Sequence, residues 1–191
     1  HVVIFMPQGR FIENPHAVEI FAGQASIALQ KQAFENEKRA SERIMNDMLE
    51  FLPDATFAID LHGVVIHWNK AMESLTGTPA AEMIGKGEYE YSIWFYRKRR
   101  PILVDMVLDP QSNVAGSYSN VRHVKDRIYA ETEIHKDTET VYLSIVASPL
   151  YDHTGKILGA IEAIRDISAI KRVEVALQWH RVFFPYDRTR A

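Results

Sequence analysis

Residues Thr140–Ser168 read TVYLSIVASPLYDHTGKILGAIEAIRDIS, and this stretch decides the fold. Two runs rich in Val, Ile, Leu and Tyr flank a polar turn, Asp152-His153-Thr154-Gly155, whose Asx and Gly residues suit a hairpin loop. A symmetric loop sets Tyr151 opposite Lys156. One face of the hairpin then carries Val141, Leu143, Ile145 and Ala147 beside Ala160, Glu162 and Ile164. The other carries Tyr142, Ser144, Val146 and Ser148 beside Ile157, Gly159, Ile161 and Ala163. The first face is large and apolar and calls for a helix or a partner laid over it. The second is small and hydroxylated and leaves room for a small molecule. The alternative is a packed core whose hydroxyls bond to backbone, and a one-residue slip would exchange the faces.

Composition bounds what surrounds the hairpin. The chain has 191 residues, 47% hydrophobic and 25% charged, the balance of a globular protein rather than a disordered one. A net charge of -3 gives no reason to expect a nucleic-acid partner. With no Cys, disulfides, thiol nucleophiles and zinc–thiolate sites are excluded. No apolar run reaches the roughly 20 residues of a membrane span, and no signal peptide opens the chain. A cytoplasmic setting is expected. The chain starts at His1 and is read as a piece of something longer.

Working from the start, Val2–Met6 reads as a lone strand closed by Pro7-Gln8-Gly9. Asn14-Pro15 opens a helix with Val18, Phe21, Ala22, Ala25, Ala28 and Leu29 on one stripe. Glu and Lys/Arg alternate from Lys31 to Arg43, as in a solvated helical connector or a two-stranded coiled coil. Ile44, Met45, Met48, Leu49 and Leu52 rebuild an apolar face before Pro53 stops the helix. Strands are expected at Ala55–Asp60 and Val64–Trp68, then short helices after Asn69 and Pro79 and one from Pro101 to Leu108. Asp109–Ser119 reads as a loop, or a loop running into a short helix. Ile128–His135 alternates as a half-buried strand, and Ser168–Gln178 reads as a last helix.

This order resembles the PAS domain. The residues that carry the likeness are the hairpin AIDLHGVVIHWN, the helix end LTG, the following MIGK, the paired strands SPLYD and GKILGAIEAIRDI, and the exit RDIS. It covers about residues 42 to 175. PAS domains commonly leave their last strand through Asp-Ile-Thr; here Asp166-Ile167-Ser168 keeps the hydroxyl. The resemblance implies an α+β fold with a five-stranded antiparallel sheet, small helices over one face, and a pocket between. As in flavin-holding PAS domains, it implies that Tyr142, Ser144, Val146 and Ser148 face the pocket with Ile161 opposite, joined by Phe57, Ile59, Val65, His67, Met72 and Thr132. Val141, Leu143, Ile145 and Ile164 are then left for the entering helix or a second subunit. Asp166, Ile167 and Ser168 would relay the signal. The segment GRFIENPHAVEIFAGQASIALQKQ is similar to the closing strand and last helix of a GAF domain. The domain reading is therefore 1–33 GAF remnant, 34–52 helical linker, 53–167 PAS domain, and 168–191 exit helix and tail.

Most site chemistry is excluded or disfavoured. Flavin–cysteinyl adducts and thioester chromophores need a Cys. Haem-binding PAS domains usually take their axial His from the helix before the central strand, and residues 86–108 contain none; His123 lies too late in that connection. The eight His show no metal-ligand spacing. His67 reads as a pH-sensitive pocket group or a satisfied core His. Arg97–Arg100 beside aromatics is either a nucleic-acid patch or, as the overall charge favours, a solvated edge. Ser168-Ala169-Ile170-Lys171 matches S-x-x-K without its companion motifs. His180 lacks the surroundings of a kinase phosphoacceptor, and no phosphate-binding glycine pattern is present. The expectation is a non-enzymatic sensor that binds an unknown small molecule or a partner, dimerises, and reports to an output domain such as a histidine kinase in two-component signalling. Its rivals are a ligand-free dimerisation module and a haem gas sensor.

Overall fold

A computed structural model describes residues 15–112, 114–136 and 139–183. The expected strand at Val2–Met6 and the tail beyond residue 183 lie outside them. Helix α1 runs without a break over Pro15–Glu50, so the helix, charged connector and second apolar face are one element. One compact unit of the chain ends at Met48, and the other begins at Leu49.

The second unit holds strands β1 (Ala55–Asp60), β2 (Val65–Trp68), β3 (Ser119–Val124), β4 (Arg127–Lys136), β5 (Glu139–Tyr151) and β6 (Ile157–Asp166). Helices α2 (Lys70–Thr76), α3 (Ala80–Met83), α4 (Ile93–Tyr96) and α5 (Leu103–Leu108) lie between β2 and β3, and α6 (Ser168–Phe183) follows β6. All strand pairs are antiparallel, in the order β2-β1-β6-β5-β4-β3.

Local chemistry explains the joints. The Asp60 carboxylate accepts the N–H groups of His62 and Val64 at 2.8 and 2.9 Å, closing the β1–β2 turn around Gly63 at φ 73°. Asn69 is fully buried and ties three elements together. Its Oδ1 accepts from Met72 N–H, capping α2, and from Thr56 N–H on β1, each at 2.9 Å. Its Nδ2 donates to the Asp54 carbonyl at 3.0 Å. Asp152 organises the β5–β6 loop in the same way, accepting from Thr154 and Lys156 N–H.

Three expectations need correction. The sheet has six strands rather than five. The additional strand, β3, is a polar edge: five of its six residues are exposed, so no alternation signals it, and Asn120 sits at φ 53° within a bulge. The hairpin also pairs two residues further along than a symmetric loop gives. Tyr151 faces Ile157, and past a bulge Ala147 faces Glu162 and Ile145 faces Ile164. A shift of two preserves the grouping of the faces.

Their direction is the reverse of what the resemblance implies. Leu143, Ile145 and Ile164 are buried beneath α5, while Tyr142, Ser144, Val146, Ser148 and Ile161 are half-buried on the other face. Each large aliphatic side chain gains roughly 1.5–3 kcal/mol from full burial, so the Leu/Ile face outcompetes the serine-bearing one for the covered side. The core joins Phe57, Ile59, Val65, Trp68 and Met72 to Tyr91, Leu103 and Val104 of the helical layer.

Candidate functional site

Between the sheet and α5 lies a cluster of buried acids and phenols. The three consecutive N–H groups at the start of α5 are each taken by a different side chain. Ile102 N–H donates to Asp105 Oδ2 at 2.7 Å, Leu103 N–H to the Tyr118 hydroxyl at 3.0 Å, and Val104 N–H to Glu162 Oε2 at 2.7 Å. These are the donors that a helix start leaves without internal partners. Tyr91 donates its hydroxyl to the other Asp105 oxygen at 2.7 Å. One short helix is thereby held through its own Asp105, through Tyr118 before β3, and through β6.

The electrostatics follow from burial. Glu162 is 1% exposed; desolvation pushes its carboxyl up to about 8, with Asp105 adding repulsion and Val104 N–H opposing. Burial also raises Asp105, against its hydrogen bonds from Ile102 and Tyr91, and raises both Tyr91 and Tyr118. Glu162 is therefore mainly protonated at neutral pH. A recess of about 500 Å3 opens beside the Tyr91–Asp105 end of this cluster, with Tyr89, Tyr91, Asp105 and Asp109 among its lining.

The residues expected at the site divide between the two faces. Phe57, Ile59, Val65 and Met72 are buried on the helix-covered side, and Thr132 is buried with its hydroxyl on the Ser117 carbonyl at 3.2 Å. Tyr142, Ser144, Val146, Ser148 and Ile161 lie on the opposite face, and so does His67, whose register partner is Ala58. Burial lowers the His67 pKa, Glu50 opposes this, and its buried Nε2 has no hydrogen-bond partner. Val141, Leu143, Ile145 and Ile164, expected outside, belong to the face beneath the helices, and Val141 is half-buried there.

The exit from β6 forms a second cluster. The Asp166 carboxylate accepts Ser168 N–H at 2.8 Å and starts α6. Tyr142 on β5 grips that start twice through its backbone: its N–H donates to Ser168 Oγ at 2.9 Å, and its carbonyl accepts Ile167 N–H at 2.8 Å. One turn later Lys171 Nζ meets Glu131 Oε2 of β4 at 3.0 Å, and Asn120 Nδ2 of the β3 bulge donates to the same oxygen at 3.0 Å. Lys171 holds the Glu131 carboxyl below its usual range. A recess of about 490 Å3 lies at this junction, bordered by Tyr142, Ile167, Lys171 and Glu131.

Sequence reasoning passed over Asp105, Tyr91, Tyr118, Glu131 and Lys171 as site residues. It placed Glu162 within an apolar stripe without drawing the consequence. That lone carboxyl was the available signal, because a buried acid without a cation is rare.

The family model described as "PAS fold" matches residues 43–167, well over half of the chain. The chain belongs to the PAS fold family. No curated protein matches it. Among solved structures, it is similar to the PAS domain of BvgS from Bordetella pertussis, at 15% identity and TM-score 0.46, covering 74% of this chain and 96% of that one. It is also similar to a PAS domain from Colwellia psychrerythraea, at 21% identity and TM-score 0.40, covering 67% and 98%. A third is an RNA-binding light-oxygen-voltage receptor, at 17% identity and TM-score 0.49, covering 74% of this chain and 36% of that one. In this PAS domain the serine of the exit signature bonds to the neighbouring strand, as its hydroxyl allows. Among the described residues, no helix is long and apolar enough to cross a membrane.

Proposed function

We propose that this PAS domain is a non-catalytic sensor module in which an input at the buried cluster under α5 is passed along β6 to the exit helix. The observation that carries the reading is the double backbone grip of Tyr142 on the first residues of α6. Any change in the twist of the β5–β6 hairpin must then move the helix start. The input side lies on the same strand, since Glu162 precedes Asp166 on β6. The mechanism is a population shift between two settings of the hairpin, each favouring a different position of α6.

The wider setting is a GAF–PAS signalling protein whose output is a histidine kinase of a two-component system in the cytoplasm. The likeness of residues 9–32 to a GAF terminus and the exit Asp166-Ile167-Ser168 support this setting. The module works as a homodimer through α1. Ile20, Ile27, Phe34 and Met48 recur at sevenfold spacing along that helix and are exposed, except that Ser41 interrupts the series. Interrupted at Ser41, this series supplies one of the two positions per heptad that a two-stranded coiled coil buries.

Amide hydrogen exchange of α6 tests the relay. Ser168→Ala removes one grip while leaving the core intact, so exchange over Ser168–Lys171 should rise with little change at α5. Unchanged α6 protection in that variant would sink the reading. Sedimentation of the chain tests the dimer: Phe34→Glu should give a monomer where the parent sediments as a dimer.

A further inference from the structure

We propose that the input read by this module is the proton itself: protonated Glu162 latches the first turn of α5 to β6, and its ionisation releases that turn. The inference rests on the relay reading above for its consequence at α6, but not for the latch.

Glu162 faces Phe57 of β1 and Ala147 of β5 across the sheet, both apolar. The polar groups acting on it from the opposite layer are Val104 N–H and Asp105 of α5, and its charge is felt by Tyr91 and Tyr118. None of these is a cation. Arg100, half-buried in the same layer, is engaged with the Tyr96 ring, the Ser117 hydroxyl and the Pro101 carbonyl. Glu162 Oε2 accepts Val104 N–H, a bond that by itself favours the carboxylate and is outweighed by burial and by the neighbouring Asp105.

Loss of that proton to solvent puts a bare carboxylate beside Asp105 in an apolar interior. The cost is relieved by letting water reach the pair. Asp105 already borders the solvent-open recess, so the route is short. The movable part is α5, only six residues long and preceded by Pro101. Its first-turn donors would exchange Glu162, Asp105 and Tyr118 for water. The raised Glu162 pKa agrees with this geometry and sets the working range near pH 8. The module would then be latched at neutral and acidic pH and open in alkali.

The test uses the full chain labelled with 13C and 15N. The Glu162 carboxyl is titrated by its carbon shift, and exchange of α5 and α6 amides is followed from pH 5 to 9, corrected for intrinsic base catalysis. The expected Glu162 midpoint is about 8, against 4.5 for an ordinary Glu. The α5 opening constant should climb about tenfold per pH unit up to that midpoint and level off beyond it. In Glu162→Gln the climb should vanish, because the amide accepts Val104 N–H without ionising. A Glu162 midpoint in the ordinary carboxylate range overturns the proposal, and so does an unchanged climb in the Gln variant. Should that variant not fold, the titration of the parent chain decides alone. If α5 opens with Glu162 ionisation while α6 stays protected, the latch stands and the relay reading fails.

Discussion

The two faces of the sheet each hold an acidic side chain engaged with a helix, and the two engagements differ in kind. Glu131 on the open face meets Lys171 of α6 in water, and the cation lowers its pKa. Glu162 on the covered face meets only backbone N–H, another acid and phenols, and burial raises its pKa. Both attach a helix to the sheet. The first attachment is a screened ion pair that tolerates change cheaply. The second is a buried contact without a cation, where desolvation and Asp105 favour the protonated carboxyl. On the open face the ion pair adds to the two backbone bonds that Tyr142 makes to the start of α6, whereas on the covered face a buried carboxyl itself takes a helix N–H.

The contrast is broken most severely at Leu143. It is fully buried on the covered face, so Leu143→Glu should cost more than about 4 kcal/mol and abolish cooperative unfolding. Ser144→Phe, on the half-buried face next to it, should leave a clear thermal transition. Circular-dichroism melts of both variants check the assignment of faces, and equal losses would show it wrong.

Glu162→Gln sharpens the comparison through pH. The folded state keeps the Glu162 proton up to about pH 8, while the unfolded chain releases it near 4.5. The stability from this group is therefore full below pH 4.5 and is lost as pH rises to about 8, by a total on the order of 5 kcal/mol. The Gln variant should lack that loss and gain on the parent progressively across the window, which urea titrations at pH 5, 6.5 and 8 would reveal.

A smaller effect is expected at Tyr91. Tyr91→Phe removes the donor to Asp105 Oδ1 and should cost about 1–3 kcal/mol at neutral pH, measured by urea unfolding. The smallest is at Glu131. Glu131→Gln should leave the melting of the core unchanged, yet speed exchange around Lys171 by roughly two- to fivefold. Adding salt to the parent should mimic the variant, because exposed pairs are screened.

Much of this was legible in the sequence. The antiparallel hairpin, its Asx–Gly loop, the Asn69 cap, the Pro53 stop and the alternation of Ile128, Ala130, Thr132 and Ile134 follow from short-range rules that act within a few residues. So did the grouping of Leu143, Ile145 and Ile164 with Glu162, because period two is a property of any strand. The need of that face for a covering helix was also correctly read from its residues, and only the carry-over from flavin-holding relatives turned it the wrong way.

What only the tertiary structure decided is which side of the sheet the helical layer covers. Alternation names two faces but carries no sign, and the sign comes from competition for burial among all the elements at once. The same holds for the cluster under α5. Asp105, Tyr118 and Glu162 are spread over 58 residues of sequence, and none has a local reason to meet the others. They meet because the start of a short buried helix has N–H groups to satisfy, and the chain folds so that these three side chains reach them.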